Sequence, residues 1–162
     1  AQPDHSVVLV VVGFSTKCSY ATLQEIIDDA TRLAAADAPV TGNWSKGQIF
    51  DHLARLMDYS LDGFSFQLPW FFRVLGKHYF KARILKNGML PGIKLKGDAK
   101  NALSPESVDD QTGLEHLRLT IQRLISEPQR FPSPFFGELS REEWDLLHCR
   151  HAELHMSFIA EP

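Results

Sequence analysis

The sequence predicts an all-α fold: a four-helix bundle with an accessory helix and two long loops. Three observations carry this expectation. Three segments open with a hydroxyl residue followed three positions later by Glu or Gln, a pairing that satisfies the first free N–H groups of a helix. Five segments repeat apolar residues at helical intervals. Two stretches rich in Pro and Gly lie between them.

The first helix is expected over 22–36. Thr22 and Glu25 open it, and Leu23, Ile26, Ile27, Ala30, Leu33 and Ala34 share one side. The second is expected over 45–62, opened by Ser45 and Gln48, with Ile49, Leu53, Leu56 and Met57 inward. The third starts at Pro69, a favourable first-turn residue, and runs to about Lys86 with Phe71, Val74, Leu75, Ala82 and Leu85 on its apolar side. NGMLPGIKLKGD (87–98) is too long and glycine-rich for a tight turn. The fourth helix spans about 108–126 through Leu114, Leu117, Ile121 and Leu124. EPQRFPSPFFGE (127–138) carries three prolines and must be a loop. The last helix runs from Ser140, paired with Glu143, to near Ala160. No repeat or linker divides the chain, so 17–162 reads as one domain. Residues 1–16, with the apolar SVVLVVVGF (6–14), read as an N-terminal extension, either strand or remnant.

The chain has 162 residues, 44% hydrophobic and 23% charged, enough for one proper core. A net charge of −3 gives no nucleic-acid footprint. No apolar run approaches the roughly 18 residues of a membrane span. Cys18 and Cys149 form no disulfide framework, and whether they pair is left open. A cytoplasmic location is expected, with export after signal cleavage as the alternative.

The last helix concentrates three histidines, His148, His151 and His155, within WDLLHCRHAELHMSF. Trp144, Leu147, Leu154 and Phe158 define its apolar stripe, and the three imidazoles fall on that stripe. His52 points inward from the second helix, between Ile49, Leu53 and Leu56. A buried polar group without a partner costs about 1–3 kcal/mol. A divalent cation resolves this by taking lone pairs from neutral imidazoles. Residues four apart sit about 5–6 Å apart at Cβ on one face, so His151 and His155 can share an ion, with His52 as third ligand. Three protein nitrogens leave positions open for water or substrate. The plain alternative is a set of core histidines bonded to carbonyls. RHAELH (150–155) is not the HExxH of zinc proteases, because Ala152 follows His151. The absence of Glu-x-x-His argues against a di-iron carboxylate bundle.

GNWSKGQIFDHLA (42–54), SLDGF (60–64), PGIKL (91–95) and LSREEWDLLHCRHAELHMSFI (139–159) resemble a bacterial branch of the DinB-like superfamily, whose members carry a domain of unknown function. The resemblance covers roughly 17–160. It implies a four-helix bundle holding a metal on one early histidine and an HxxxH pair, which by position are His52, His151 and His155. Characterised members of the superfamily include metal-dependent transferases and isomerases that use low-molecular-weight thiols, and hydrolases.

The expected function is therefore a metal-dependent enzyme with zinc or nickel on the three-histidine site, activating a water or a small thiol. Thiol-dependent transfer leads; metal-assisted hydrolysis and a non-catalytic metal-binding or dimerisation bundle are the rivals. The expected partners are a small-molecule substrate and, as an open alternative, a second copy of the chain; nucleic acid and an integral membrane segment are not expected. The catalytic residues are undetermined. His148, one turn before His151, reads as a supporting group rather than a ligand, and Gln48 as an orienting group or simply a cap. Asp51 and Asp58 could polarise a ligating imidazole, with solvent exposure the plainer account. Trp44 and Trp144 are expected to pack on the core and Cys149 to be inert packing. His78 lies on the apolar side of the third helix, and His5 and His116 look unremarkable. From Arg73 to Lys100 eight basic residues face the single Asp98, either as a solvated face or as a rim for an anionic ligand or lipid surface.

Overall fold

The computed structural model describes residues 19–159, which are helical with no strand. His5, Cys18 and the 1–16 extension lie outside the described residues. Four long helices, α1 (Leu23–Ala35), α2 (Lys46–Asp62), α6 (Asp110–Ser126) and α7 (Arg141–Met156), share one core. Helix α2 packs on α6 and α7, and α1 packs on the same two. Ile26, Leu33, Phe50, Leu53, Met57, Leu117, Ile121 and Met156 fill the space between them almost without exposure.

The helix starts follow from their caps. Ser45 and Ser140 each form a complete reciprocal box, with Gln48 and Glu143 respectively. Thr22 caps α1 through the Glu25 N–H, but the Glu25 carboxylate takes the Ala21 N–H instead of closing the box on Thr22. Helix α7 ends at Met156, short of the expected Ala160. The Val40–Ile159 bridge and the Thr41 N–H on the Phe158 carbonyl then tie that end to the segment before α2. The 127–138 stretch is a loop, closed by a Ser133–Gly137 bridge.

The middle of the chain departs from expectation in two ways. The third helix is not continuous: α3 (Trp70–Leu75) and α4 (Lys81–Asn87) flank a π-helical segment, Gly76–Phe80. Of its expected apolar side only Leu85 turns partly inward, against the cluster around Trp144. Phe71, Val74 and Leu75 are exposed, and so is His78. The second departure is α5 (Gly97–Leu103), which follows the glycine-rich stretch read as a loop. Ala99 and Leu103 seat it on Leu56 and Phe66.

Candidate metal centre

Helices α2 and α7 bring His52, His151 and His155 together, with one ring nitrogen from each within 4.8 Å of the others, close enough to hold a metal ion. The ring centroids form a near-equilateral triangle: His52–His151 4.9 Å, His52–His155 4.5 Å and His151–His155 4.7 Å. The His52 and His151 Nε2 atoms are 3.1 Å apart. Two nitrogens on a tetrahedral ion at about 2.1 Å each would be about 3.4 Å apart, so this spacing suits shared ligation.

The tautomer of His52 is fixed from behind. Its Nδ1–H donates to the Leu103 carbonyl at 2.6 Å, leaving Nε2 as a bare lone pair aimed at the triangle. That carbonyl is available because it belongs to the last turn of α5, where carbonyls lack helical partners. The unforeseen helix thus supplies the group that orients the ligand.

Burial holds these imidazoles neutral, the form a cation requires. His155 is lowered to about 3 by burial and by its proximity to His52. His151 and His52 are also lowered, chiefly by burial. The buried Nδ1 of His151 has no hydrogen-bond partner, and among the described residues the His151 ring is within hydrogen-bond distance only of the His52 Nε2. Core histidines bonded to carbonyls therefore account for His52 and not for His151. Trp44 walls one side, its ring 4.8 Å from His52 and stacked 5.6 Å from His155. His155 is the least buried of the three and marks where the site opens.

A family model described as "Protein of unknown function (DUF1569)" matches residues 15–162. The chain belongs to the DUF1569 family. No curated protein and no solved structure matches it.

Other expected groups sit elsewhere in this DUF1569 chain. His148 is fully buried and stacks on Trp144 at 5.2 Å. Ser60 Oγ donates to the Met57 carbonyl, so it accepts from His148 Nε2–H at 3.0 Å, joining α7 to α2. Gln48 is engaged in the cap of α2. Cys149 is buried in the core as expected of inert packing, and burial pushes its free thiol up to about 11. Leu154 and Phe158 are only half-buried, whereas Ala152 and Met156 fill the interior; the buried face of α7 is rotated from the expected stripe.

Asp51 is buried and Asp58 partly exposed, and neither is hydrogen-bonded to a ligand ring. They clamp His116: Nδ1 meets Asp51 at 2.8 Å and Nε2 meets Asp58 at 2.7 Å. Asp51 is 5% exposed and also accepts from Arg55 and from the Glu106 N–H. Burial pushes its carboxyl up, but the hydrogen bonds from Arg55 and His116 outweigh that and hold it low. The Asp58 bond, helped by Asp51 against burial, raises His116. The clamp fixes α2 against α6 one residue from His52.

A pH dependence follows. Because the folded value of His116 lies above its unfolded 6.5, its stabilisation is complete below 6.5 and is lost as pH rises through the folded value. His116→Gln is expected to lower the melting temperature at about pH 6 and by much less at about pH 9. Paired thermal melts across that range check this; an equal loss at both ends contradicts the clamp.

Proposed function

We propose that His52, His151 and His155 hold one divalent cation, zinc or nickel, and that this chain is a metal-dependent enzyme related to the DinB-like superfamily. The observation that carries the reading is the convergence of three neutral imidazoles from two helices, one of them locked in its ligating tautomer by the Leu103 carbonyl. Bound there, the cation supplies Lewis acidity that lowers the pKa of a coordinated water or thiol.

The chain's own groups define what can react. Three nitrogens close only part of a coordination sphere, so positions remain for a reactant. Trp44 shields the His52–His155 side from water. Cys149 is not the nucleophile: it is buried in the core and its thiol is held protonated. With Cys149, the one cysteine among the described residues, set aside, a low-molecular-weight thiol from solution is the favoured co-substrate.

The test is turnover by metal-loaded protein on an electrophile panel with and without a small thiol. Thiol-dependent consumption, lost on chelation and restored by zinc or nickel, is expected. Metal-dependent turnover without thiol would instead mark a hydrolase. Full metal occupancy with no turnover would mark a binding protein and overturn the enzyme reading.

A further inference from the structure

The outward side of α3, the π-helical segment and α4 is apolar where a solvated helix would be polar. No residue of α3 is buried, and in the two segments after it only Gly76 and Ile84 are. Trp70 is 69% exposed, Tyr79 71%, and Phe72 and Phe80 about half. Leu90 and Ile93 extend the surface into the following loop. Nine of the twelve exposed large apolar side chains among the described residues fall within 70–93, so this is a patch and not the normal scatter.

The same stretch is basic. Arg73, Lys77, Arg83, Lys86, Lys94 and Lys96 are exposed and make no ion pair among the described residues, whereas Lys81 is engaged with Glu143. A second copy of the chain suits this face badly. A two-fold interface would press the patch onto itself and bring the cations together. Exposed Trp and Tyr among apolar side chains, rimmed by Lys and Arg, match the composition of elements that lie in a lipid interface. The long basic side chains can lay their stems on apolar surface while their charges meet headgroups. No described helix is long and apolar enough to cross a membrane, so attachment would be peripheral.

We propose that this aromatic, basic-rimmed face is a peripheral docking surface for an anionic lipid bilayer. The full chain is to be sedimented with vesicles of phosphatidylcholine alone and with one-third phosphatidylglycerol. Binding to the anionic vesicles only, weakened by salt, is expected. Reversing Arg83, Lys86 and Lys94 to Glu should weaken binding by at least about a hundredfold. Trp70→Ala with Tyr79→Ala should also weaken it and, because both residues are exposed, leave the melting temperature unchanged. Equal binding to neutral vesicles, no binding to either, or a solution dimer that shields Trp70 from a soluble quencher would each overturn the proposal.

Discussion

Replacing His52, His151 and His155 together with alanine is expected to abolish stoichiometric metal binding, from about one ion per chain to none. The wild-type chain should also gain stability on loading. A ligand at a hundred times its dissociation constant stabilises the folded state by about 2.7 kcal/mol. For a domain of this size that is a rise of roughly 5–10 °C in melting temperature. The triple variant should show no rise. The His52→Ala variant alone should lose most of the effect, because it removes the one ligand on α2 and the only one oriented by the Leu103 carbonyl. Elemental analysis and paired melts of untagged protein read both quantities. An unchanged metal content and an unchanged rise in the variant would exclude these imidazoles as ligands.

Gly113→Ala should cost the metal-free fold the most stability. Helices α2 and α6 approach so closely that a Cβ on Gly113 would lie 2.2 Å from the Gly47 carbonyl oxygen, and one on Gly47 would lie 2.5 Å from that of Asp109. Both obstacles are backbone, so the helices themselves must separate. Overpacking of this kind costs about 3 kcal/mol, or roughly 6–12 °C for a chain of this length. The damage should reach the metal centre, because His52 lies little more than one turn beyond Gly47 on the displaced helix. Gln111→Ala, exposed on the same helix, should change stability by less than about 0.5 kcal/mol. Thermal melts and metal titration of the two variants decide the matter. Equal effects would refute the close crossing.

The four long helices were legible because each repeats at short range and three of them signal their own start. Ser45 with Gln48, and Ser140 with Glu143, read directly as boxes. The histidine triangle was legible because imidazoles replaced apolar residues on inward faces. Periodicity finds a helix without saying what covers it. Phe71, Val74 and Leu75 have helical spacing, yet Gly76 seats the segment against the Phe135 backbone and leaves that side outward. Helix α5 gave no local signal: it opens at Gly97 with φ +59° and has no capping side chain. The role of His116 depends on partners 65 and 58 positions away, beyond any local pattern. Only the seven-residue spacing of Asp51 and Asp58, which puts both on one face of α2, hinted that they act together.

A cation held by this chain is to be found by its position. Anomalous diffraction from crystals of metal-loaded protein, recorded at the absorption edge of the added zinc or nickel, locates it most directly. One strong peak is expected inside the histidine triangle, about 2.1 Å from a ring nitrogen of each of His52, His151 and His155. A peak bound elsewhere, or a triangle closed by histidine–histidine hydrogen bonds in the presence of excess metal, would contradict it.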